Sequence, residues 1–210
     1  RPHVNCVNIT PDQKYLCAVD LGVDQVKIYK FNYETGKITL MDMLRCEQES
    51  APRIIKFSPD GRFAYLICEL KNYISVYSYK DGPRGPIFEL VQTISTLNDY
   101  HSKGSAACVL RFSRDWNYVL CSNAGDNSVG IFKIDRETGM LEKICILPIS
   151  GDYPKAADFF PDNRHIMSLN HETNTMTIFK INYEKKYFSM WGKPLKVETP
   201  NCILVSEIQG

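Results

Sequence analysis

Short runs of apolar and β-branched residues recur along the chain, separated by clusters rich in Gly, Asp and Asn. "RIIKF" at 53–57 leads into "SPDG", and "FAYLIC" follows at 63–68. A polar turn then gives way to "ISVYSY" at 74–79. The same succession returns as "CVLRF", "YVLCS" and "SVGIF". Turns such as "ETGK" and "ETGM" introduce a fourth, looser run, "ITLMDML" or "LEKICIL". Val, Ile and Tyr suit a pleated, half-buried surface, while Gly, Asp and Asn supply turn conformations. The pattern predicts strands joined by tight turns.

The runs form a repeat anchored on Asp12, Asp60, Asp115 and Asp162, spaced 48, 55 and 47 residues apart. Eight residues after each anchor stand Asp20, Cys68, Asn123 and Asn170; seventeen after it stand Tyr29, Tyr77, Phe132 and Phe179. A register that survives unequal total lengths means a fixed hairpin core with variable outer loops. Four short antiparallel strands per repeat is the signature of a propeller blade. The fold class expected is therefore all-β, a β-propeller. Four complete four-stranded blades are expected, with a further lone first strand in "TPNCILVSEIQG". A lone strand wants ladder partners, so residues 1–210 read as the C-terminal portion of a single propeller domain. Its missing N-terminal blades are the partner expected for residues 200–206.

Charge narrows the function. With 25 basic and 24 acidic residues the formal net charge is +1. Neither a nucleic-acid footprint nor a membrane-surface patch is expected from that balance. Eight cysteines would suit a disulfide framework in a small secreted chain, but 210 residues can bury a core without staples. Five of them (Cys17, Cys68, Cys108, Cys121 and Cys145) fall within strand runs, and none has zinc-site spacing. Reduced, buried thiols in a cytoplasmic protein are the expectation.

Hairpin geometry locates a site. Residues that start the first strand of a blade oppose those that end the second. Seven before each anchor lie Asn5, Arg53, Cys108 and Lys155; nine after it lie Leu21, Glu69, Ala124 and His171. In a ring, both sets and the nearby His3 would crowd onto one rim. Arg53 suits bidentate capture of a carboxylate or phosphate, and Lys155 offers a point charge. Glu69 suits general-base work. The same residues have plainer readings: Arg53 and Glu69 as a structural ion pair, Lys155 as a solvated charge, His171 as a loop histidine, His3 as simply exposed.

The segments "PHVNCVNITPD", "APRIIKFSPDGRFAYLICELKNYISVY", "SNAGDNSVGIFKID", "GDYPKAADFFPD" and "PNCILV" resemble the lactonase family of seven-bladed propellers over essentially the whole chain. That family includes cycloisomerase-type 6-phosphogluconolactonases and 3-carboxy-cis,cis-muconate lactonizing enzymes. The resemblance implies hydrolysis of a small anionic sugar lactone such as 6-phosphogluconolactone, without a cofactor. It implies Glu69, His3 and Arg53 as catalytic residues; Asn5, Lys155 and His171 of the hairpin rim, with Asn123, are the expected substrate-binding ones. Two family positions differ: Asn5 replaces the second histidine of a Pro-His-x-His motif, and Ala124 replaces an arginine. The family's later Pro-Arg stands as Pro154-Lys155. Muconate-type cycloisomerisation and a non-catalytic ligand- or protein-binding propeller remain the alternatives.

Overall fold

A computed structural model describes residues 1–206 of the chain. The recurring Asp has a local cause. Asp12, Asp60, Asp115 and Asp162 each accept a hydrogen bond from the backbone N–H two residues on, at 3.2, 3.1, 3.2 and 2.8 Å. That closes an Asx turn between strands. In three of the four, a hydroxyl two residues earlier also donates to it: Thr10, Ser58 and Ser113, at 2.5, 2.6 and 2.6 Å.

The chain divides into two compact units, Arg1–Ile94 and Ser95–Gly210. In the first, β1 (Val4–Ile9), β2 (Tyr15–Asp20), β3 (Gln25–Phe31) and β4 (Ile38–Arg45) form one sheet in chain order. β5 (Pro52–Phe57), β6 (Phe63–Cys68), β7 (Tyr73–Gly82) and β8 (Gly85–Ser95) form another, β8 ending one residue past the boundary. In the second, β9 (Ala106–Phe112), β10 (Tyr118–Ala124), β11 (Ser128–Ile134) and β12 (Leu141–Pro148) form a third sheet. The fourth contains β13 (Pro154–Phe159), β14 (His165–Asn170), β15 (Thr175–Asn182), β16 (Tyr187–Met190) and β17 (Leu195–Lys196). The protein is all-β, in four-stranded antiparallel sheets, as the repeat predicts.

The registers agree from sheet to sheet. The aromatic seventeen residues after the anchor pairs identically each time: Tyr29 with Leu16, Tyr77 with Ala64, Phe132 with Val119 and Phe179 with Ile166. Tyr77, Phe132 and Phe179 are buried, and Tyr29 is half-buried. In the first unit the sheets pack through Val19, Val26 and Ile28 against Ile55, Leu66 and Tyr77. In the second, Leu120, Val129 and Ile131 belong to one core with Phe159, Ile166 and Phe179.

The fourth sheet departs from the simple pattern. Its outer strand is broken: β16 pairs with Phe179–Asn182 of β15, and β17 with Thr175–Met176. The chain leaves the ladder between them at Trp191–Pro194, turning through Gly192 at φ +81°. Lys180 Nζ lies 5.3 Å from the Trp191 ring centroid, which holds the excursion against the sheet. Residues 200–206 form no ladder among the described residues, since a strand exists only with a partner to bond. Ile203 is nonetheless buried against Ala156 and Leu169, and Arg114 Nη2 donates to the Val205 carbonyl at 2.8 Å.

Candidate active site

The candidate residues meet the fold at one recurring irregularity. In every blade the ladder between first and second strands slips by one residue near its start. Pro52 pairs with Cys68 and Ile54 with Ile67, leaving Arg53 as the extra residue of a β-bulge. Asn5 stands alone in the same way between Val4 and Cys6, Cys108 between Ala107 and Val109, and Lys155 between Pro154 and Ala156. A bulge bends its strand and re-aims one side chain, and bulges gather beside functional sites.

The bulge corrects the expected facing of Arg53 and Glu69. In backbone terms Glu69 opposes Ala51, whose carbonyl accepts from the Glu69 N–H at 2.8 Å. Leu21 and His171 likewise bond the carbonyls of His3 and Tyr153, both at 3.0 Å. Arg53 reaches Glu69 because the bulge swings its side chain toward the end of β6. There Arg53 Nη1 donates to Glu69 Oε2 in a charge-assisted hydrogen bond. The two side chains are 29% and 21% exposed, so the pair is partly desolvated yet open to a ligand.

His3 is exposed, but its backbone is held firmly. Its N–H donates to Asp20 Oδ1 at 2.7 Å, and the Gly22 N–H donates to the same oxygen at 3.2 Å. Gly22 must be glycine: a Cβ there would lie 2.0 Å from the Arg1 carbonyl oxygen and 3.0 Å from His3 Cβ. Asp20 is 1% exposed, and its second oxygen has no protein partner among the described residues. Sequence reasoning left Asp20 out of the site. The signal lay in its register, where it is the one charged residue among Cys68, Asn123 and Asn170. Beside these residues, Leu21, Gly22, Ala51, Leu70 and Lys71 help line a cleft of about 660 Å³ with Asp24 and Glu49. Asp24 shapes that wall by accepting from the Glu49 and Ala51 N–H groups, both at 2.8 Å.

Asn5 is exposed, and its Nδ2 donates to the Arg53 carbonyl at 3.1 Å. In the second unit, Lys155 holds its ammonium 5.7 Å from the Tyr153 ring centroid. His171 Nδ1 lies 3.3 Å from the Pro200 carbonyl oxygen. The structure thus brings Arg53 and Glu69 into contact, and sets Lys155 and His171 at the matching register of their own unit. Asn123 differs from the rest: it is fully buried, and its Nδ2 donates to the Thr96 carbonyl at 2.8 Å and to Ser128 Oγ at 3.0 Å. Those bonds tie the blade together and leave the amide no path to a solvent-borne ligand. Among the described residues no group of three or more His, Cys, Asp or Glu is placed to hold a metal ion.

A carboxylate able to take a proton, in contact with a guanidinium able to hold negative charge, is chemistry suited to an anionic electrophile. The chain is 26% identical over 203 residues to 6-phosphogluconolactonase of Bacillus subtilis, covering 97% of this chain and 57% of that protein. The crystal structure of the periplasmic gluconolactonase of Pseudomonas aeruginosa superposes with a TM-score of 0.87 at 26% identity, over 96% of this chain and 56% of that one. A candidate 6-phosphogluconolactonase from Bacteroides fragilis gives 0.82 at 29% identity, over 96% and 57%. The chain therefore spans little more than half the length of these relatives. The family described as lactonase, 7-bladed beta-propeller, matches residues 1–205. With four hairpins in one register and a match running nearly end to end, the chain belongs to the lactonase family of seven-bladed β-propellers.

Proposed function

We propose that the protein hydrolyses a small anionic sugar lactone, with 6-phosphogluconolactone as the substrate that suits it best. The observation that carries this reading is the Arg53–Glu69 pair, a guanidinium and a carboxylate in contact, partly exposed, on a bulge that aims one at the other. Glu69 takes a proton from water, and the resulting hydroxide equivalent attacks the lactone carbonyl. Arg53 holds anionic charge on the substrate, where a guanidinium can bond two oxygens at once. The ring C–O bond then breaks, the leaving alkoxide takes a proton from His3, and the proton that Glu69 took from water returns to His3 through solvent. The products are the open hydroxy acid and a restored site, with one water consumed and no redox change.

A sugar phosphate suits this pair because Arg53 matches a phosphate as well as a carboxylate. The relatives named 6-phosphogluconolactonase and gluconolactonase support the same class of substrate. A reducing, cytoplasmic setting forms part of the proposal, and the support is eight cysteines carrying free thiols, five of them buried. The missing blades also remain part of it, supported by a relative of which the matched stretch is 57%. The test is hydrolysis of freshly made 6-phosphogluconolactone by the whole protein, followed as acid release above the spontaneous rate. Saturable acceleration is expected. A rate equal to the spontaneous one, with folded protein, would overturn the proposal.

A further inference from the structure

A bulged residue loses its place in the ladder, so its carbonyl needs another partner to keep one orientation. For Arg53 that partner comes from the neighbouring blade. Asn5, itself the bulged residue of β1, donates from Nδ2 to the Arg53 carbonyl at 3.1 Å. Three residues along β1, Asn8 makes the same kind of bond to the Ile55 carbonyl, also at 3.1 Å. Two asparagines thus clamp β5 on either side of Ile54. In the second unit the bulged residue of β9, Cys108, instead turns its thiol to the Ala106 carbonyl of its own strand, at 3.4 Å.

We infer that Asn5 is a positioning residue, which fixes the Arg53 bulge through its carbonyl and so sets the direction of the guanidinium toward Glu69 and the substrate. The inference rests on the proposed lactonase reading for its functional consequence, but its structural core does not. Rotation of the Arg53 peptide moves the start of a long, flexible side chain, and a small turn at Cα becomes a large displacement at the guanidinium. An amide N–H is suited to the task because the carbonyl needs a donor. Asp at this position has none, and Leu has the bulk without the polarity. Histidine would serve, since its Nδ1 is the same number of bonds from the backbone as the asparagine Nδ2.

The experiment is a double-mutant cycle in the whole protein, read by urea unfolding. Asn5→Leu should lower the unfolding midpoint, and that shift should shrink by half or more when Glu69 is already Gln, because the aimed pair no longer exists. Asn5→His should restore the wild-type midpoint. With lactone as substrate, Asn5→Leu should raise KM about 2- to 10-fold, the worth of one hydrogen bond, while kcat stays within about twofold. An Asn5→Leu shift of equal size in both backgrounds would mean a purely local bond and would overturn the inference, as would no shift at all. If the wild-type protein turned over no lactone, the proposed function would fall, while the unfolding cycle would still decide the role of Asn5.

Discussion

Replacing Glu69 with Gln keeps the shape and one acceptor oxygen but removes the proton-accepting carboxylate. A positioned general base contributes about 10²- to 10⁴-fold, so kcat should fall by at least about 10²-fold, or roughly 2.7 kcal/mol in the barrier. The same change also breaks an ion pair whose members are 29% and 21% exposed. Exposed pairs contribute about 0–1 kcal/mol, and stripping one partner from a buried pair costs about 3–5 kcal/mol. This pair lies between those limits, so a stability loss of about 1–2 kcal/mol is expected. That loss leaves the protein folded at assay temperature, and rate and stability can be read separately. Initial rates on 6-phosphogluconolactone, corrected for spontaneous hydrolysis, give the first; urea unfolding gives the second. A folded Glu69→Gln protein with kcat within twofold of wild type would refute the base assignment and leave Arg53–Glu69 as a structural pair.

Arg53→Ala should chiefly raise KM, because an anion ligand binds ground and transition states alike, and steady-state kinetics checks the split. Burial pushes the Cys17 and Cys121 thiols up to about 12 and Cys145 up to about 11, so iodoacetamide near pH 8 should label exposed Cys202 first and leave those three untouched. Mass spectrometry of native and urea-unfolded protein checks this, and fewer than eight reactive thiols in urea would reveal disulfides and count against the reducing compartment. Burial raises the Asp115 carboxyl, but hydrogen bonds from Ser113 and Asn117 outweigh it and hold it below its ordinary value. Asp60 and Asp162 are lowered in the same way, through Ser58 and Arg62 and through His165 and Arg164. A carboxylate depressed by folding stabilises the native state above its unfolded pKa of about 4, and that contribution is lost as pH falls through the lower folded value. Unfolding midpoints should therefore drop below about pH 4, and Asp115→Asn should flatten that drop.

Much of the architecture was legible because hairpins are local. The "FAYLIC" run became β6, Phe63–Cys68, without a residue of difference. The anchor-to-aromatic spacing translated directly into one pairing register in four sheets. A strand's partner in a tight hairpin is set by turn length, and turn length can be counted along the chain. The same counting placed Arg53 and Glu69 side by side, and their side chains are in contact. The break between β16 and β17 was not, because "YFSMWGKPLK" carries no alternation that separates one bent strand from two.

By itself, then, the sequence determined the blade repeat, its turns, the spacing of the recurring aromatic and the end of each hairpin where chemistry could gather. All of these follow from contacts a few residues to about twenty residues apart. Tertiary structure alone decided which residue bulges, and hence that Glu69 opposes Ala51 while Arg53 swings across to meet it. An extra residue in one strand leaves no mark on that strand's own pattern; it exists only relative to a partner. Tertiary structure likewise decided that Asn123 is sealed inside while Asp20 pins His3. It also brought Asn5 to the carbonyl of Arg53, 48 residues away. Such contacts depend on how one sheet lies against the next, and a period counted along a single chain carries no information about that distance.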